Sequence, residues 1–226
     1  MSTPSSTPSF PWPPEYSFPP FFTRQTNLTT HHAQLTKWSS LVLAYCRHHR
    51  IVKLHLSGSG TTTAATTTST SNPTTASSSL TTHSTTTVTT TTTPSSELDT
   101  SELFFNRRIN RRLSLADIRE VIDFLRKDGR AEYVSPSSAE GGGGDVVWIY
   151  WRTPEEWASL VEAWVDETGQ KGSVLTLYEL VEGDGTRGTE FHGLDQDLLL
   201  KALQVLVKRG KAQVFGQEDS QGVKFF

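Results

Sequence analysis

The 226 residues leave room for one domain or two. A net charge of −3 and a pI near 6.2 argue against a general polyanion binder, yet the charge is uneven: residues 1–96 carry five Lys/Arg and one acid, residues 97–226 sixteen and twenty-three. The single cysteine, Cys46, excludes an intrachain disulfide, no apolar run has the length of a membrane span, and the first residues are Ser/Thr/Pro rather than a signal peptide, so a soluble cytosolic protein is expected.

Residues 1–33 read as an N-terminal arm, with 1–9 expected to be disordered and 10–23 a docking segment. That segment, Phe10-Pro-Trp12-Pro13-Pro14-Glu15-Tyr16-Ser-Phe18-Pro19-Pro20-Phe21-Phe22, alternates prolines with aromatics. Proline fixes φ and favours an extended, polyproline-like path, so little chain entropy is lost on docking. Two readings stand at this point: the arm packs on its own core, or it is a preorganised ligand for a groove on another protein. Pro13-Pro14-Glu15-Tyr16 is also a short match of the kind WW domains accept.

Residues 34–49 show apolar positions Leu35, Trp38, Leu41, Val42 and Tyr45 at helical spacing. His31/His32 and His48/His49 are adjacent pairs that do not share a helix face, and no metal-ligand framework accompanies them. Residues 57–96 form a Ser/Thr tract with almost no large apolar side chains, expected to be a disordered insertion in the first domain. Leu103–Asn106 restores order, and Arg107, Arg108, Arg111 and Arg112 follow. These arginines suit phosphates or acidic lipid heads, a solvated helix face, or acidic residues on a partner.

A helix from Ser114, capped with Asp117 in attendance, stops at Gly129; a strand to about Val134, a Gly/Ser turn over 136–145 and a returning strand Val146–Trp151 complete the unit. Thr153-Pro154-Glu155-Glu156 then opens a new helix with a cap, a proline at the first position and a capping-box glutamate, followed by the stripe Trp157, Leu160, Val161, Trp164 and Val165. A short strand at Val174–Leu175, a short helix over 176–181, a helix capped by Asp195 running to Arg209, and strands Ala212–Phe215 and Val223–Phe226 repeat the order. The repeat is in register: Ile118/Leu199, Ile122/Leu203 and Leu125/Leu206 match, then Gly129/Gly210 and Ala131/Ala212. Three helices and a two-stranded ribbon, twice, predict an α+β, helix-rich chain of two tandem winged helices, residues 34–152 and 153–226. Tyr178, Phe191, Phe225 and Phe226 are assigned to core or interface.

Chemistry is hard to find. Gly141–Gly144 lacks the strand-to-helix setting and lysine of a phosphate loop, no nucleophile elbow occurs, and Cys46 has no readable base. His192 near Asp195 reads as a loop end beside a helix cap. No enzyme, cofactor or metal site is expected. The third helices carry mixed charge on their outward faces (Arg119, Glu120, Asp123, Arg126; Asp195, Asp197, Lys201, Lys208), where a phosphate-tracking face is mostly basic. A nucleic-acid binder using Arg107–Arg112 remains the alternative to a protein–protein module.

The segments Trp12–Thr23, Leu35–Arg47, Leu103–Asn106, Trp151–Trp157, Ser173–Leu180, Glu190–Asp195 and Gly222–Phe226 together resemble the vacuolar protein-sorting-associated protein 25 family, the small winged-helix subunits of the ESCRT-II endosomal sorting complex. The Ser/Thr tract and the glycine run depart from that pattern. The resemblance implies a non-catalytic scaffold present in two copies on two larger winged-helix subunits. Its arm would dock in apolar pockets through Pro13, Pro14, Tyr16, Pro19, Pro20, Phe21 and Phe22. The second winged helix would recruit an ESCRT-III subunit at the endosome, in sorting ubiquitinated cargo into multivesicular bodies. Self-association without partners is left open.

Overall fold

The computed structural model describes residues 9–56, 101–134, 146–216 and 221–226. The disorder expected for residues 1–9 (all but Ser9) and 57–96 and the turn expected over 136–145 lie outside the described residues.

The first unit runs α1 (Leu28–His48), β1 (Lys53–His55), α2 (Ser101–Phe104), β2 (Phe105–Asn106), β3 (Arg111–Arg112), α3 (Leu115–Lys127), β4 (Ala131–Tyr133) and β5 (Val146–Ile149). The second runs α4 (Pro154–Thr168), β6 (Val174–Thr176), α5 (Leu177–Glu182), α6 (Gln196–Lys208), β7 (Ala212–Phe215) and β8 (Gly222–Phe225). Each has an antiparallel three-stranded sheet with its last strand in the centre, in the orders β1-β5-β4 and β6-β8-β7. Helices followed by a ribbon, with one extra strand paired alongside, is the winged-helix order, present twice. Gly129 and Gly210 take φ of 68° and 70°, a left-handed conformation open to glycine without Cβ cost, so both helices stop where the repeat placed the stop.

Caps set the other boundaries. α1 begins at Leu28 rather than Gln34, because Asn27 Oδ1 accepts from Thr29 N at 2.9 Å and Thr30 N at 3.2 Å. Thr153 and Glu156 form the expected capping box, and Thr176 with Glu179 forms another that starts α5. Asp195 caps α6 through Asp197 N and Leu198 N.

The central strand of the first sheet has two buried faces. Val147 and Ile149 join the first core with Trp38, Ile122 and Leu125. Trp148 and Tyr150, pointing the other way, join Val52 in the second core with Trp157, Leu198 and Leu203. A strand buried on both faces loses the apolar–polar alternation of a half-buried one, which is what Val146–Trp151 shows.

Candidate partner interface in the N-terminal arm

The arm does not run extended. It folds into two 3-10 turns, Pro14–Ser17 and Pro19–Phe22, closed by Tyr16 N to Pro13 O (3.0 Å) and Phe21 N to Phe18 O (2.9 Å). Proline opens both turns: its fixed φ suits a 3-10 turn as well as a polyproline path, and its missing N–H falls where no donor is needed.

These turns aim the aromatics inward. Phe21 stacks on Trp38 with ring centroids 4.4 Å apart and planes 3° from parallel, and Phe22 meets the same indole edge-on at 5.3 Å. Trp12 stacks on Tyr16 at 3.9 Å, and Phe10 lies edge-on to Trp12 at 5.0 Å. Polar groups lock the backbone. Trp38 Nε1 donates to Phe21 O (2.9 Å), Gln34 Nε2 donates to Phe21 O (2.8 Å) and Thr23 O (2.9 Å), and Asn106 Nδ2 donates to Tyr16 O (2.7 Å). The Tyr16 hydroxyl donates to Glu102 O, and burial raises its pKa above the ordinary range. Lys37 pairs with Glu15 at 2.7 Å, a hydrogen bond that lowers the Glu15 pKa.

The seven expected docking residues therefore divide. Tyr16, Phe21 and Phe22 are buried in the chain's own first core, Pro13 is half-buried, and Pro14, Pro19 and Pro20 are exposed. Phe18, absent from the expected set, is 59% exposed between the two turns. The sequence pairs aromatics and prolines without saying which aromatic turns inward; the Pro-Pro spacing that generates the turns was the available signal.

The rest of the molecule supplies the frame. Arg107–Arg112 lie on the β2–β3 hairpin rather than on a helix face. In the second unit Val174, Tyr178, Phe215 and Phe226 are exposed, while Phe191 and Phe225 are buried. Val174 sits opposite Lys224, and Phe215 opposite Gly222, on the outer face of the β6-β8-β7 sheet, where the Phe215 ring leaves no room for a Cβ (2.8 Å) on Gly222.

The start of α6 is turned toward the first unit. Lys53 pairs with Asp197 (2.8 Å) and Asp195 (3.6 Å), and Lys201 with Glu132 (2.8 Å), whose carboxylate also accepts from the Tyr150 hydroxyl (2.7 Å). Lys53 and Lys201 ammonium groups both approach the Trp148 ring, at 4.8 and 5.3 Å. Arg50 donates to the carbonyls of His192 (2.9 Å) and Glu190 (3.0 Å), Arg130 grips Glu156 through both carboxylate oxygens (3.0 and 3.2 Å), and Arg152 pairs with Glu190. In the second unit, the first part of the helix that reads a groove in a DNA-binding winged helix is engaged in contacts within the chain.

His192 and Cys46 are otherwise engaged. His192 Nδ1 meets Thr186 Oγ1 at 3.0 Å while Asp195 serves as the α6 cap, and burial pushes the Cys46 thiol up to about 12. Among the described residues no cluster of His, Cys, Asp and Glu could hold a metal ion, and no helix is long and apolar enough to cross a membrane.

A model of the family described as ESCRT-II complex subunit matches residues 15–195. The chain is 36% identical over 217 residues to vacuolar protein-sorting-associated protein 25 of Xenopus laevis, covering 96% of this chain and 99% of that protein. It is 38% identical over 218 residues to the Homo sapiens protein of the same name, covering 96% and 98%. The crystal structure of subunit VPS25 of the endosomal trafficking complex ESCRT-II superposes with a TM-score of 0.69 at 26% identity, covering 96% of this chain and 99% of that one. The crystal structure of the endosomal complex ESCRT-II (VPS22/VPS25/VPS36) gives 0.68 at 26% identity, covering 94% and 98%. The chain therefore belongs to the ESCRT-II complex subunit family.

Proposed function

We propose that the protein is a non-catalytic subunit that joins an ESCRT-II assembly at the endosome, docking through its arm onto the counterparts of VPS22 and VPS36 and recruiting an ESCRT-III subunit through its second unit. The observation that carries this reading is the division of the arm. Tyr16, Phe21 and Phe22 hold its shape from inside, so that Pro14, Phe18, Pro19 and Pro20 are offered outward on a backbone already fixed by Gln34, Trp38 and Asn106. A preformed apolar projection loses little entropy on binding. The exposed apolar residues Val174, Tyr178, Phe215 and Phe226 support the second half of the reading, because they sit on the unit that the arm does not use. The domains at 34–152 and 153–226 then divide the labour, one side for the assembly and the other for the recruit.

The test is native mass spectrometry of the chain co-expressed with those two larger subunits, beside a variant carrying Phe18→Ala and Pro20→Ala. Two copies bound by the intact chain, and loss of copies in the variant, is the expected result. Two copies in both would move the interface off the arm, and no complex in either would overturn the reading. Phe21→Ala is unsuitable, since its effect on folding cannot be separated from docking.

A further inference from the structure

Ser114 stands at the junction where strand gives way to helix. β3 (Arg111–Arg112) is extended, Leu113 follows, and Ser114 keeps an extended backbone, with φ −68° and ψ 152°, before α3 begins at Leu115. Neighbouring side chains in an extended run leave on opposite sides. Leu113 goes inward: it is 2% exposed, and its N–H donates to Phe104 O at 2.9 Å. Arg112 and Ser114, on either side of it, are exposed, and so are Arg111 and Leu115. The segment is thus anchored at one residue and open at the other four. The Ser114 hydroxyl itself is held only by Asp117: Oγ accepts from Asp117 N at 3.2 Å and donates to the Asp117 carboxylate, both at the surface.

Among all the serines and threonines of the chain, Ser114 alone has arginines at both the second and the third position before it. The Ser/Thr tract over 57–96 holds many more hydroxyls and no arginine or lysine. Two guanidinium forks pair with carboxylates in an acidic cleft, and a leucine directly after the serine suits an apolar dent beside it. We propose that Ser114 is a phosphorylation site for an arginine-directed serine kinase, with ATP as the donor. In the transfer, Ser114 Oγ bonds to the γ-phosphorus of ATP as the bond from that phosphorus to the β–γ bridging oxygen breaks. ADP leaves, and the hydroxyl proton passes to the kinase's catalytic carboxylate. The phosphoserine carries about two negative charges. The two arginines before it and the positive end of α3 favour that charge, while Asp117 opposes it. The corner made by Arg111 and Arg112 thereby passes from cationic to about neutral on an anchored backbone.

The experiment incubates the intact folded chain with Mg-ATP and the catalytic subunit of cAMP-dependent protein kinase, an arginine-directed enzyme. Fragmentation mass spectrometry then places the phosphate. The expected result is phosphate at Ser114, with an initial rate about tenfold lower for Arg111→Gln/Arg112→Gln. Circular dichroism checks that this variant is folded; Ser114→Ala, which also loses the α3 cap, serves only to confirm the position of the label. A peptide of residues 109–117 is run in parallel. Labelling of the peptide but not of the chain means that Leu113 holds the segment shut, and the proposal is overturned. Labelling of Ser114 at a rate indifferent to both arginines overturns it as well. So does faster labelling by casein kinase 2, an acid-directed enzyme for which Asp117, three residues on, would be the determinant.

Discussion

Trp38 shows what a single residue does here. Its indole is 1% exposed, covers Phe21 face to face, and donates to the Phe21 carbonyl. Trp38→Ala is expected to cost about 3–5 kcal/mol, read from urea unfolding, by opening a cavity under the arm. Gln34→Ala removes donors from the Phe21 and Thr23 carbonyls, and a loss of about 1–3 kcal/mol is expected from the same measurement. Cys46 gives a test in pH. Its thiol pKa rises from 9.0 to about 12 because it is fully buried, so the fold keeps its proton longer than the unfolded chain does. That contribution to stability is whole below pH 9 and fades as pH climbs toward 12. At pH 8 a thiol reagent should therefore find about a thousandfold less thiolate than in the unfolded chain, and label Cys46 only on unfolding. Helical spacing made Trp38 legible as an inward residue. The inward turn of Tyr16, Phe21 and Phe22 was not, because a proline-rich segment has no period from which a face can be read.

Elements were legible wherever a backbone rule fixes an end. Capping boxes and left-handed glycines act locally, so Thr153, Ser114, Gly129 and Gly210 fell where the sequence put them. Strand β1 and the β2–β3 hairpin escaped notice because two or three residues carry no periodicity, and only long-range pairing defines them. Thr153→Ala should lower stability by about 1 kcal/mol through the lost cap. Glu156→Gln should act beyond that helix, since the same carboxylate accepts from Thr153 N and takes both nitrogens of Arg130 in the first unit. A double-mutant cycle of Arg130→Ala with Glu156→Gln, in thermal unfolding, should show coupling rather than additivity.

For the whole molecule the decisive pattern is the division of β5 between two cores. Calorimetry on the intact chain should show one transition, and Trp148→Ala, which removes the main side chain crossing from the first sheet into the second core, should separate it into two. Acid should weaken the same junction. Burial favours the protonated forms of Glu132 and Glu156, but hydrogen bonds from Lys201 and Tyr150 in one case and from Arg130 and the Thr153 backbone in the other outweigh it, so both pKa values fall below 4.5. Groups with lowered pKa stabilise the fold above 4.5 and cease to do so as pH drops through their folded values. The transition should broaden there before the cores themselves melt.

That division also fixes direction. Successive side chains of one strand belong to different cores, so a bend between the two units would have to disturb both. Wherever Phe18 is seated, the bearing of Val174 and Phe215 follows from it, as the hour hand follows from the minute hand in a geared clock. In any assembly that seats Phe18, the direction of the outer sheet would then follow from the alternation of a four-residue strand.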